Sequence, residues 1–296
     1  MKSEPLLSGS DPTPDRAGVV PLLVSRFEQI RQAPSADVTL ENMPIVFGES
    51  SYREHCFDEA KNSWLTVFNK EKVLRAVTSD PKEEYFRYLK DIRKFGLILK
   101  SGYRFFGKTH MCPDGLDTFV RNIGRYNDHY WSSSTKSPFP ADTMEALDHL
   151  DGESLSISYG TTEEFKAYAE GVFLRIESVL HGRAKSISVR DLHSLRKCVR
   201  LFSNIMQVPA AEHVTEPQHL LFHRLYNLSG TLASVRDNQA DGTATDQINK
   251  DELMVDIDPF WAEEWDRVSS SVRRALDLPE RTANEPVPEI DLPVDP

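Results

Sequence analysis

Cysteine is scarce in this chain: there are three, Cys56, Cys112 and Cys198, widely spaced and with no C-x-x-C pair. That excludes a disulfide framework and a cysteine zinc site as organising features, and it fits a reducing compartment. Long apolar runs are missing as well. The stretch Gly18-Val19-Val20-Pro21-Leu22-Leu23-Val24 is too short to span a bilayer. It also lacks the basic n-region and small-residue cleavage site of a secretory signal, so a soluble, cytoplasmic protein with no membrane partner is expected. Glycine-rich phosphate loops, a serine-nucleophile elbow and a dinucleotide fingerprint are absent, and strand signals are few. A positive surplus is lacking too: the formal charge is -11, which argues against a general nucleic-acid binder on electrostatic grounds. Much of that deficit lies at the far C-terminus, where Asp277, Glu280, Glu285, Glu289, Asp291 and Asp295 face only Arg281 among five prolines. The body of the chain is closer to neutral, so positive charge can be concentrated locally.

What the sequence does contain is a pattern that occurs twice. Lys90-Asp91-Ile92-Arg93-Lys94, with Lys100 and Arg104, is followed by Leu116-Asp117-Thr118-Phe119-Val120-Arg121-Asn122-Ile123-Gly124-Arg125-Tyr126-Asn127-Asp128. His193-Ser194-Leu195-Arg196-Lys197, with Arg200, is followed by Leu225-Tyr226-Asn227-Leu228-Ser229-Gly230-Thr231-Leu232-Ala233-Ser234-Val235-Arg236-Asp237. Leu116 matches Leu225, Phe119 matches Leu228, Ile123 matches Leu232, Gly124 matches Ala233 and Asp128 matches Asp237. The repetition predicts an all-α fold made of two pseudo-symmetric helical bundles, about four helices each, from an internal duplication. Residues 1–50 are expected to be a flexible N-terminal arm, with one short helical candidate from Leu22 to Arg31. The duplicated domain is placed at 51–276, its halves 51–131 and 161–276 joined by a polar connector, 132–160. An acidic, Pro-rich disordered tail is expected over 277–296.

Start signals support the helices. Asp80-Pro81-Lys82-Glu83 reads as a capped helix start. Ser188, with Asp191 in the first turn, does the same for the second basic helix. The stretch from Arg53 to Val77 reads as helix in the first half, matched by Thr162 to His181 in the second. Asp237 to Asp251 reads as a polar loop. Asp258-Pro259 then opens a last helix with Trp261, Trp265, Val268 and Val272 on one stripe.

At helical spacing Lys90, Arg93, Lys94, Lys100 and Arg104 share an arc of about 120°. Ile92, Phe95, Leu99, Tyr103 and Phe106 occupy the opposite, core side. In the second copy His193, Arg196, Lys197 and Arg200 form the equivalent arc, backed by Leu192, Leu195, Val199, Phe202 and Met206. A single such arc is what any solvated amphipathic helix carries. Two matching arcs in an acidic chain are less ordinary, because clustered cations repel unless an anion lies between them. If the helices face each other, they line one cationic groove suited to a linear polyanion.

These residues resemble the CHAD family, the conserved-histidine α-helical domain. Its repeated signature is His-x-x-Arg-(Lys or Val) with further basic residues, closed by Leu-Gly-x-x-Arg-Asp. The second half matches at His193, Arg196, Lys197 and Arg200, then at Leu232-Ala233-Ser234-Val235-Arg236-Asp237, where Ala233 replaces the glycine. The first half matches at Arg93, Lys94 and Lys100, then at Ile123-Gly124-Arg125-Tyr126-Asn127-Asp128. Lys90 stands where the family has histidine and Asn127 where it has arginine, while Ser203 replaces a further basic residue. Over roughly residues 52–275 the resemblance implies paired four-helix bundles around a basic channel that binds inorganic polyphosphate. It also implies, for some bacterial members, association with polyphosphate granules. No appended triphosphate-tunnel domain is evident, so the expectation is a binding module, not an enzyme. The expected contacts are Lys90, Arg93, Lys94, Lys100, Arg104, His193, Arg196, Lys197 and Arg200, with no cofactor. The alternative is a helical interaction module whose basic faces meet an acidic protein partner or the acidic tail. A metal-dependent phosphohydrolase using His219 and His223 ranks lower: the two lie one turn apart, but no third ligand is adjacent, and no metal site is expected. Cys198 lies beside Lys197, which favours a lower pKa, yet its helical position points it to the core as a structural thiol.

Overall fold

A computed structural model describes residues 20–78, 82–132, 140–150, 152, 154–182, 184–242 and 253–280, with side chains of 128–132 and 236–242 excepted. The described residues form eleven α-helices and one two-stranded antiparallel sheet. The helices are α1 (Leu22–Arg26), α2 (Ser50–Val67), α3 (Lys70–Thr78), α4 (Glu83–Phe106), α5 (Asp114–Ser132), α6 (Ala141–Ala146), α7 (Thr162–Leu180), α8 (Val189–Ile205), α9 (Gln207–Glu212), α10 (Pro217–Gly242) and α11 (Pro259–Ala275). The strands β1 (Ser186–Ser188) and β2 (Met254–Asp256) pair with Ile187 opposite Val255, tying the start of α8 to the segment before α11. The all-α expectation therefore holds, with this short ribbon as an addition.

The apolar stripes are buried as their spacing predicts. On α4, Ile92 and Leu99 are fully buried, as are Leu192 and Val199 on α8. Trp261, Trp265, Val268 and Val272 of α11 all lie in the core, and Trp265 Nε1 donates to Glu177 Oε1 of α7 at 2.8 Å. Ser188 caps α8 by accepting from the Asp191 amide at 3.0 Å. Asp258 accepts from the Phe260 amide at 2.9 Å ahead of Pro259. Each such cap is worth about 1 kcal/mol, because it satisfies an amide the helix cannot. A capping box at Thr161 and Glu164 starts α7. Asp80, the cap expected for α4, lies outside the described residues; α4 begins at Glu83 behind Lys82.

Several expected boundaries move. Residues 20–50 are not a loose arm: Leu23, Phe27, Ile30, Met43 and Phe47 are buried in the common core. The amides of Val46 and Phe47 both donate to the Ala275 carbonyl at 2.9 Å, and Arg26 Nη1 donates to Ala211 O at 2.6 Å. The apolar residues here are sparse and irregular, and they meet helices distant in sequence: Phe27 packs on Phe95 of α4, and Phe47 on Phe106 of α4 and Phe165 of α7. The Arg53-to-Val77 helix breaks at Phe68 and Asn69, where Asn69 Oδ1 accepts from the Lys72 amide and starts α3. The connector holds α6 and a single 3-10 turn, Leu147–His149, and buries Leu147, Leu150 and Leu155. Helix α10 continues to Gly242, into the stretch expected to be loop. At the C-terminal end Leu278 is buried and Pro279 O accepts from Arg273, so the folded part extends past 277; residues 281–296 lie outside the described residues.

Helix α5 packs on α4 and α10 packs on α8, while α4 and α8 pack on each other. That last contact joins the early and late parts of the chain and positions the site. No helix among the described residues is long and apolar enough to cross a membrane.

Candidate functional site: a cationic groove between α4 and α8

Where α4 and α8 meet, the contact is polar. Asn204 Nδ2 of α8 donates to Ser101 Oγ of α4 at 2.9 Å and approaches Leu97 O at 3.3 Å, while Ser101 Oγ donates back to Leu97 O at 2.8 Å. Both side chains are buried. Small or slender side chains at this point hold the helices close, and the long cationic side chains on either side of it diverge around two adjoining cavities.

One cavity, about 450 Å³, lies toward the end of α4 and the start of α8, closed on one side by α5. Its cations are Arg93, Lys100 and Arg104 from α4, His193, Arg196, Lys197 and Arg200 from α8, and Arg121 and Arg125 from α5. The other, about 400 Å³, lies toward the start of α4 and the end of α8, bordered by α10 and by residues 27–31. It carries Lys90, Arg93, Lys94, Arg196, Arg200 and Arg31. Arg93, Leu97, Arg196, Arg200 and Asn204 line both, so the two cavities form one groove. Lys100 and Arg104 line one end with His193 and Lys197 while Lys90 lines the other with Ser203, so α4 and α8 run antiparallel along it. All nine residues expected from sequence line this groove. Three more, Arg31, Arg121 and Arg125, were not foreseen. Arg121 and Arg125 lie within the repeated pattern, so their helical phase was the available signal; nothing in the sequence places Arg31 here.

Among the described residues, Asp117 is the one carboxylate in the combined lining. It forms ion pairs with Lys100 and, at 2.9 Å, with Arg121 Nη2. Lys94 is held by Asp91 at 3.3 Å. Even so, the groove is uncomfortable for ammonium groups. Burial, with Arg104, Lys197 and Arg121 nearby, pulls Lys100 down to about 8. Lys197 is lowered by burial and by Arg104 and Arg200, and Lys94 by burial and by Arg31 and Lys90. Lys100 keeps its ion pair with Asp117, so it is the cation of that pair at neutral pH. Three lysines on two helices thus share one cause: partial desolvation among like charges, which an incoming anion relieves.

Gly124, which Ala233 replaces in the second copy, has a specific part. Arg93 lies flat against Gly124 of α5: a Cβ there would sit 2.6 Å from Arg93 Nη2, 2.8 Å from Cζ and 2.9 Å from Nε. The missing side chain is the seat of the guanidinium. Asp128 and Asp237, which close the two repeats, have side chains outside the described residues.

Other candidates do not assemble. His219 is buried, with Nδ1 2.6 Å from Val214 O and Nε2 3.0 Å from Ile30 O, so both ring nitrogens are engaged with carbonyls and neither points at a site shared with His223. That removes the pair the phosphohydrolase alternative required. Among the described residues no cluster of three or more His, Cys, Asp or Glu side chains is arranged to hold a metal. Burial pushes the Cys198 thiol up to about 11, outweighing Arg175, Arg104 and Lys197, so the structural reading of that cysteine stands over a reactive one.

No family model matches the chain, and no curated protein or solved structure shows significant similarity to it.

Proposed function

We propose that this protein is a non-catalytic binding module for inorganic polyphosphate or a similar linear polyanion, held in the groove between α4 and α8. One observation carries the reading. Nine basic residues, from helices about a hundred residues apart in the chain, line two adjoining cavities whose lining contains a single carboxylate among the described residues. Burial among like charges already disfavours the charged forms of Lys94, Lys100 and Lys197, which is the cost such clustering carries. A phosphate chain would offset that cost through charge-assisted hydrogen bonds, with the arginines gripping oxygens in pairs. The groove's length, two cavities end to end, suits an extended anion better than a single phosphate.

The same reading includes internal duplication and kinship with CHAD domains. Helices α4 and α5 would correspond to α8 and α10. Their antiparallel meeting at α4 and α8 fits a twofold axis running across the two helices. Arg93 on Gly124 would then answer to Arg196 beside Ala233.

The test is a titration of the full chain with long-chain polyphosphate at several salt concentrations, alongside the double variant Arg93→Glu, Arg196→Glu. The expected result is affinity that falls steeply with salt in the wild type and is lost in a folded double variant. Folded wild type that does not bind polyphosphate at low salt would refute the proposal and shift the case to an acidic protein partner.

A further inference from the structure

The two ends of the groove differ in chemistry. The α5 end carries nine basic side chains and no aromatic ring. The α10 end adds Phe27, Phe222 and Tyr226, the amides of Gln207 and Asn227, and the hydroxyl groups of serines. Aligning the halves as above sets Tyr226 against Asp117, Gly230 against Arg121 and Ser203 against Lys100. At each of these positions one copy carries a charge and the other a flat or small neutral group.

Tyr226 is 41% exposed, on the solvent side of α10 with Asn227 and Gly230, and it lines the cavity. Arg31 lies 4.3 Å over the Phe27 ring and 5.7 Å from the Tyr226 centroid, linking the two rings by a planar cation. Gly230 stands one turn beyond Tyr226, and a Cβ there would meet nothing within 4 Å. Glycine weakens a helix interior, and no neighbour at this position requires it. It leaves a side-chain-free strip beside the tyrosine face.

We infer that the α10 end is a nucleoside subsite, and that the preferred small ligand of the groove is a nucleoside polyphosphate. The base stacks on Tyr226 over the Gly230 strip, next to the Arg31 guanidinium. Gln207 and Asn227 supply neutral donors and acceptors for the base edge or sugar. The phosphates run past Arg93, Arg196 and Arg200 toward Lys100 and Lys197. A cavity of about 400 Å³ at this end has room for a nucleoside. This inference rests on the polyanion reading and adds the base.

The experiment compares ATP with inorganic tripolyphosphate in magnesium-free buffer, by calorimetric titration of the full chain. Tripolyphosphate carries at least as much charge, so charge alone cannot favour ATP. The expected result is ATP about tenfold tighter, the worth of one base–aromatic stack. Tyr226→Ala should remove that advantage and leave tripolyphosphate binding unchanged, while Tyr226→Phe keeps it. Gly230→Leu should fill the strip and weaken ATP selectively. Equal or tighter binding of tripolyphosphate in the wild type would overturn the nucleoside subsite and leave the polyanion groove standing. A Tyr226→Ala variant that weakens both ligands alike would overturn the stacking role. Failure of both ligands and of long-chain polyphosphate to bind would overturn the groove reading together with this one.

Discussion

Gly124→Ala should separate the seat of Arg93 from the stability of the fold. The new Cβ would lie 2.6–2.9 Å from three guanidinium-end atoms of Arg93, closer than packed atoms tolerate. What must move is the far end of a flexible side chain, not backbone, so α4 and α5 can stay where they are. Replacing glycine by alanine inside a helix gains about 0.5–1 kcal/mol. Pushing Arg93 off its favoured rotamer costs about 0.5–1.5 kcal/mol. The two nearly cancel, so the melting temperature should shift by no more than about 2–4 °C in either direction. Binding has no such compensation. Arg93 lines both cavities, and a displaced guanidinium forfeits at least one hydrogen bond to a charged ligand, worth about 1.5–3 kcal/mol. That is about 10- to 150-fold in affinity. Thermal unfolding and polyphosphate titration on the same sample read both quantities. Unchanged affinity at unchanged stability would show that Arg93 does not touch the anion. A stability loss beyond about 2 kcal/mol would show that Gly124 is needed for packing, not for the guanidinium.

Lys100→Met should stabilise the ligand-free protein while weakening polyphosphate. Lys100 titrates near 8 in the fold and higher when unfolded, so the folded state disfavours its proton. The penalty is fully present below pH 8 and fades as pH rises toward the unfolded value. Wild-type stability should therefore climb between about pH 8 and pH 10, by on the order of 2 kcal/mol, and the variant should lack that climb. A flat wild-type profile over this range would contradict the assigned burial of Lys100. His193→Ala should weaken polyphosphate binding at constant pH and stability; unchanged affinity would exclude His193 as a contact. Asn204→Ala should lower stability by about 0.5–1.5 kcal/mol, since it removes the hydrogen bond to Ser101 Oγ across the α4–α8 contact while Ser101 and the Leu97 carbonyl keep their bond to each other. A neutral result in chemical denaturation would place the strength of that contact elsewhere.

The amphipathic helices were readable from the chain because the 3.6-residue period puts Ile92 and Leu99, or Leu192 and Val199, on one side and the cations on the other. That arrangement is local, as are the caps at Ser188 and Asp258. The boundaries were less readable where order comes from distant partners. Leu23, Ile30 and Phe47 have no periodic spacing, and only packing on distant helices makes them core, as where Phe47 meets Phe106 of α4 and Phe165 of α7. The break at Asn69 had a capping residue in the sequence, but the apolar residues on both sides, Val67-Phe68 and Val73-Leu74, let it pass for one helix.

The sequence by itself determined which residues are cationic, that they come as two matching arcs, and that each arc opposes an apolar face. Period, propensity and charge are properties of a few neighbouring residues, so they survive without the fold. Tertiary structure alone decided that the arcs face each other, through Asn204 and Ser101 at the contact of α4 and α8. It also placed Arg93 against Gly124 and brought Arg31 and Tyr226 to one end of the groove. Those facts depend on helix packing between segments far apart in the chain, and no local pattern encodes such distances.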